Sequence, residues 1–156
     1  MNQKKVSKHS QLGQTVLKLL ISNELRFSKL YLKYAALFED QSFWNTLAAE
    51  EKRHAQWLEA LLASSDVFDV KTDLLPIESL KLFGEDIDLE IKHSLDITFY
   101  EALARSLRLE ESFFEKSYFE FISPDTASVR RVIEDLKRET KDHIFLVKQK
   151  LDKYQI

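Results

Sequence analysis

Five residues of the kinds that hold metal ions sit where apolar residues should be. Glu24, Glu51, His54, Glu110 and His143 each interrupt a run of hydrophobic side chains spaced three and four apart, and each lies near the middle of its run. A carboxylate buried alone costs several kcal/mol or more, so three in one core require compensation. No Lys or Arg shares their stripes at that level, which leaves a bound cation as the simplest source of positive charge. Spacing points the same way. Glu51 and His54 project from one helix face about 60° apart, so a carboxylate oxygen and an imidazole nitrogen can reach neighbouring ions. Oxygen and imidazole donors suit Fe(II), Mn(II) or Zn(II), and the absence of cysteine disfavours Cu(I) and structural zinc.

The elements that must position these residues read as helices. From about Ser10 to Phe38 a stripe of Val16, Leu19, Leu20, Phe27, Leu30, Tyr31 and Tyr34 predicts a first helix. It breaks at Phe38-Glu39-Asp40, with Asp40 placed to cap a second helix that runs to about Ala63 on Phe43, Leu47, Leu58 and Leu61. Thr98 and Glu101 have capping-box spacing and open a third helix to about Ile122. Ser123-Pro124-Asp125 ends it. A fourth helix follows from about Thr126 to Tyr154, with Val129, Val132, Ile133, Leu136, Leu146, Val147 and Leu151 inward. Residues 64–97 carry no long periodic run; Pro76 to Phe83 predicts two turns of helix closed by Gly84. The expected organisation is one domain over 1–156: a hairpin 10–63, a crossover 64–97 and a hairpin 98–154. That is an all-α, antiparallel four-helix bundle with a long crossover between helices 2 and 3.

Depth along the bundle is consistent. Glu24 lies about 14 residues before the first turn, and Glu51 and His54 about 11 and 14 after Asp40, roughly 17–21 Å in each case. Glu110 lies about 12 residues before the second break, and Thr140 and His143 about 14 and 17 beyond it. The five potential ligands converge on one layer.

Composition excludes much else. Only 2 Gly and 2 Pro occur in 156 residues, too few for a turn-rich β fold. A net charge of −3 gives no footprint for nucleic acid. There is no Cys, hence no disulfide, thiolate metal site or cysteine nucleophile. No apolar run is long enough to span a membrane. Lys4, Lys5 and Lys8 are not followed by an apolar stretch and a cleavage site, so the expected location is the cytoplasm. His9 and His93 read as surface residues, and Trp44 and Trp57 as packing residues. Phe113, Phe114, Tyr118, Phe119 and Phe121 read as core and dimer contacts.

These residues carry a resemblance. NELRFSKLYLKYA (23–35), AAEEKRHAQWL (48–58), LRLEESFFE (107–115) and LKRETKDHIFLV (136–147) are similar, in order, to the four metal-bearing helices of the ferritin-like superfamily, closest to its rubrerythrin-type branch. The second segment, with Glu-Glu-x-x-His, is the most specific. The similarity covers roughly residues 12–64 and 98–153. It implies a dinuclear site, most readily of two iron ions, with manganese or zinc as alternatives. Glu24 and Glu110 would be terminal or chelating ligands, Glu51 would bridge, His54 and His143 would each cap one ion, and Tyr31 would stand behind them. It also implies an oxidoreductase that reacts with peroxide or dioxygen, and a homodimer. No Cys-x-x-Cys pairs are present, so the rubredoxin-like module is missing and reduction would need an external electron donor.

One position departs from the pattern. Thr140 stands where the family has a second bridging Glu. Ferritin-type sites manage without the complete double motif, and water, hydroxide or another anion would complete the shell. Glu139, four residues before His143, either swings in as a ligand or corresponds to Glu50, the non-ligand acid of the other pair. The alternatives are a ferritin-like scaffold whose site is degenerate or mononuclear, acting as a non-enzymatic binding or dimerisation module, and an iron store.

Overall fold

The computed structural model describes residues 8–64, 77–116, 118–122 and 126–154, with the side chains of residues 8–10, 120 and 121 excepted. The Ser123-Pro124-Asp125 break lies outside the described residues, as does the side chain of His9. Among the described residues five helices form: α1 (Lys8–Leu37), α2 (Gln41–Ala63), α3 (Ile77–Lys92), α4 (Phe99–Glu115) and α5 (Ala127–Asp152). Single 3-10 turns lie at Ser94–Asp96 and Tyr118–Phe121. None of the helices is long and apolar enough to cross a membrane.

The starts of the later helices follow from local chemistry. Thr98 Oγ1 accepts from the Glu101 backbone N–H at 3.2 Å, and the Glu101 carboxylate accepts from the Thr98 N–H at 2.7 Å, so the capping box is closed. Thr126 caps α5 by accepting from the Val129 N–H at 3.3 Å. Asp40 behaves differently from the expectation. It occupies the N-cap of α2 but its side chain makes no cap hydrogen bond. It pairs instead with Lys150 of α5, which ties the first turn to the end of the chain's last helix.

Two boundaries are corrected. α4 ends at Glu115 rather than near Ile122, and the 3-10 turn lets Tyr118, Phe119 and Ile122 fold back into the core. The crossover helix does not close at Gly84. It runs through that residue to Lys92 because Gly84 is where α3 touches α1. A Cβ there would sit 2.6 Å from Asn23 Oδ1 and 2.9 Å from Arg26 Nη1. The glycine thus serves close approach, with Asn23 Nδ2 donating to the Leu80 carbonyl (3.1 Å) and Arg26 pairing with Asp88 (3.0 Å) on either side.

Contacts set the directions. Ser28 Oγ donates to the Ala48 carbonyl at 2.8 Å, and Tyr31 stacks on Trp44, so α1 and α2 are antiparallel. Phe27 meets Phe113 while Tyr31 meets Glu110, so α4 also opposes α1. Lys150 pairs with Asp40 and Glu139 with Arg53, so α5 opposes α2. Helices α1 and α5 therefore run one way, and α2 and α4 the other. Between the two hairpins, α3 lies parallel to α1, from Asn23–Leu80 at one end to Lys33, which donates to the Ile91 carbonyl, at the other. The crossover returns the chain to the end from which α4 must start.

The core is aromatic and aliphatic. Phe27, Tyr31, Tyr34, Trp44, Phe83, Phe113 and Tyr118 are all essentially buried, each contributing about 1.5–3 kcal/mol by leaving water. Leu146 departs from its expected inward place on α5 and is 42% exposed, beside exposed Phe145. His93 is exposed, as expected.

Candidate metal centre

Helical periodicity brings all five sequence-predicted residues into the middle of this core. Glu24, Glu51, His54, Glu110 and His143 are each at most 2% exposed. They form two triads that share Glu51. Glu24, Glu51 and His54 bring one ligand atom each within 4.8 Å of one another, and so do Glu51, Glu110 and His143. The sharing is divided by oxygen. His54 Nδ1 lies 3.2 Å from Glu51 Oε2, while His143 Nδ1 lies 2.7 Å from Glu51 Oε1. Glu24 Oε2 is 3.5 Å from His54 Nδ1, and Glu110 Oε1 is 3.6 Å from His143 Nδ1. The two imidazoles lie nearly parallel, with centroids 5.4 Å apart and planes 22° apart.

Each ring presents its other nitrogen outward to an acid from the opposite helix. His143 Nε2 of α5 meets Glu50 Oε2 of α2 at 2.8 Å. His54 Nε2 of α2 meets Glu139 Oε2 of α5 at 2.9 Å. Glu139 thus mirrors Glu50, each acid meeting the outer nitrogen of a histidine on the opposite helix. Arg53 donates to Glu139 at 2.7 Å and lies 5.4 Å from the centroid of Trp57, a half-buried ring beside His54. Carboxylates on the outer nitrogens fix ring orientation and leave Nδ1 to face inward. The sequence offered Glu139 as a ligand or as the counterpart of Glu50, but it did not disclose that these two acids orient the histidines or that Arg53 stands beside them. Their signal was an acid four residues before each histidine, Glu50 before His54 and Glu139 before His143.

Tyr31 donates to Glu110 Oε1 at 2.6 Å. Burial and the Glu110 charge push its phenol well above the usual range, so it remains a donor. Thr140 is buried in the same layer, but its hydroxyl donates to the Leu136 carbonyl at 2.9 Å, within its own helix. It brings no charge where a carboxylate was expected.

Without a metal, the cluster balances itself with protons. Burial, followed by the neighbouring charge of Glu51, pushes Glu24 and Glu110 upward. Burial would raise Glu51 too, but the His143 cation outweighs it and holds Glu51 well below the usual range. Burial alone would lower the pKa of His54; hydrogen bonding to Glu24 and Glu51 outweighs it and holds the imidazole at about 11. His143 is raised similarly, burial being outweighed first by Glu51. Both histidines are imidazolium at neutral pH.

The protons do not satisfy every atom. Glu24 Oε1 and His143 Nδ1 are buried without a hydrogen-bond partner, the latter because its short approach to Glu51 is out of line. An orphaned carboxylate oxygen and an orphaned ring nitrogen, one in each triad, are what a divalent cation would engage. The donor atoms of each triad could hold a metal ion. No family model, no curated protein and no solved structure matches the chain.

Proposed function

We propose that this chain is a ferritin-like bundle of the rubrerythrin type, lacking a rubredoxin module, that holds two divalent transition-metal ions and acts as an oxidoreductase toward peroxide or dioxygen. The observation that carries the reading is the division of Glu51. Its two oxygens face the inward nitrogens of two different histidines at 3.2 and 2.7 Å, and each pair is closed by a further buried glutamate. Glu24, Glu51 and His54 would hold one ion; Glu51, Glu110 and His143 would hold the other. The order of the helices adds support, since a long crossover between two antiparallel hairpins is the connection that ferritin-like bundles use.

An iron pair, when bound, supplies the two electrons that reduce hydrogen peroxide to water, and an external donor restores them. The remaining work belongs to the chain. Glu50 and Glu139 hold the imidazoles edge-on to the centre. Tyr31 holds Glu110 through Oε1, the same oxygen that lies 3.6 Å from His143 Nδ1, and so fixes that carboxylate against the centre. The aromatic packing excludes bulk water from the layer.

Metal analysis of protein from iron-supplemented cells tests this directly. Two irons per chain, with near-ultraviolet absorption appearing when peroxide is added to the reduced protein, are expected. Substoichiometric metal with no such absorption would defeat the proposal. A second reading, a degenerate or mononuclear site on a non-enzymatic scaffold, is favoured by one observation: the missing carboxylate at Thr140, whose hydroxyl is turned to Leu136. That reading requires one ion or none per chain; where none is held, Glu51→Ala and His54→Ala leave the metal content at the parental level.

A further inference from the structure

The five inward-facing residues are sealed from water, so an ion from solvent needs a way in. Along the bundle axis the layer is closed by packed rings and aliphatic side chains, Tyr31 on Trp44 on one side and Leu17 and Leu20 on the other. On the α1–α2 side the helices approach until Ser28 bonds the Ala48 carbonyl. The α1 surface beyond is covered by α3. Between α2 and α5 the packing is different. A cavity of about 340 Å³ opens there, and its lining includes Glu50, Arg53, Glu139, Asp142, His143 and Leu146. Its inner wall is thus formed in part by the ring of a candidate ligand, whose Nδ1, on the far side, is one of the orphaned buried atoms.

We infer that this α2–α5 groove is the entry route for divalent cations, with Asp142 at its mouth and Glu50 and Glu139 as the carboxylates an ion meets before the histidines. The inference rests on the metal-centre reading above. Three carboxylates, one guanidinium and the His143 imidazolium line the passage; Arg53 is paired to Glu139 at 2.7 Å and His143 to Glu50 at 2.8 Å, which leaves the charge of Asp142 in excess. The remaining field favours a cation. Glu50 and Glu139 are the right groups to yield. Their side chains are 28% and 19% exposed, and each holds a ring nitrogen from the solvent side. Rotation of Glu50 away from His143 Nε2 frees that ring to turn and uncover the interior. Leu146, pushed out of the core, forms the apolar rim that sets the width of the opening.

The test is the rate at which Co(II) alone enters the metal-free full-length protein, followed by stopped-flow absorption. Asp142→Lys should slow entry about tenfold at low ionic strength, and the difference should shrink below about twofold near 0.5 M salt. Leu146→Trp, which narrows the rim, should slow entry at both salt concentrations. Both variants should reach the parental Co(II) content at equilibrium and keep the parental circular dichroism. Glu85→Lys changes net charge equally but lies on α3, across the bundle, and should load at the parental rate. Parental rates in both groove variants, or equal slowing in Glu85→Lys and Asp142→Lys, would overturn the route while leaving the metal centre intact. A parent protein that takes up no Co(II) at equilibrium would overturn the metal-centre reading, and the route with it.

Discussion

Loading the cluster with metal should expel protons, and the number expelled is set by the ion pairs described above. In the metal-free protein His54 is held at about 11 by Glu24 and Glu51 against the opposing effect of burial, and His143 is raised by Glu51 and its neighbours. Both rings must surrender the inward Nδ1 proton before that nitrogen can bind an ion. At pH 7, removing a proton from a group with a pKa near 11 costs on the order of 5 kcal/mol. The ions must overcome this cost, and it falls as pH rises. About two protons per chain should therefore be released at neutral pH, with more if Glu24 or Glu110 is also protonated. Apparent affinity should climb about tenfold per pH unit for each histidine-capped ion between pH 7 and 9. Calorimetric titration with Zn(II) in two buffers of different protonation enthalpy gives the proton count directly. His54→Gln should lower it by about one. Binding of two ions with no net proton release would refute the reasoning, because the histidines would then be neutral before metal arrives.

Metal-free protein should lose stability as pH rises from about 6.5 through about 11 in thermal denaturation, because a histidine with a raised folded pKa stabilises fully only below its unfolded value. The raised carboxyls of Glu24 and Glu110 act in the same direction above their ordinary range. Tyr31→Phe removes the 2.6 Å bond to buried Glu110 and should cost about 1–3 kcal/mol in denaturant unfolding of the metal-free form. Thr140→Glu should raise metal affinity and, by adding an unpaired buried carboxylate, lower the stability of the metal-free form; equal affinity in parent and variant would show that position 140 does not face the ions. Gly84→Ala should destabilise by about 1–2 kcal/mol despite its helix-propensity gain, since the new Cβ meets Asn23 and Arg26, both held by other bonds.

The helices and the five inward polar residues were legible because both signals are periodic. An apolar stripe with a three-and-four spacing marks a helix, and a Glu or His falling on it is conspicuous. The Thr98–Glu101 box was legible for a similar reason, as it is written within four residues. What was not legible depends on residues distant in sequence. Gly84 reads as a terminator until α1 is placed against it. Asp40 reads as a cap until Lys150 arrives from the far end of the chain and competes for its carboxylate. Leu146 sits one position from the buried face, and only the α2–α5 spacing determines that it is left outside. The pairing of Glu50 with His143 and of Glu139 with His54 is crossed between helices, so spacing within either helix cannot disclose the partner.

The two triads have unequal parentage. Glu24, Glu51 and His54 all come from the first hairpin, α1 and α2. The second hairpin provides only Glu110 and His143 and must borrow Glu51 across the interface. With threonine at position 140, the second hairpin has no bridging carboxylate of its own to return. The first triad is therefore assembled as soon as α1 and α2 pair, whereas the second exists only when the two halves of the chain are docked in register. If the triads hold ions as proposed, occupancy of the second would measure how completely the halves have closed on each other, and that triad would report on the chain's own tertiary assembly.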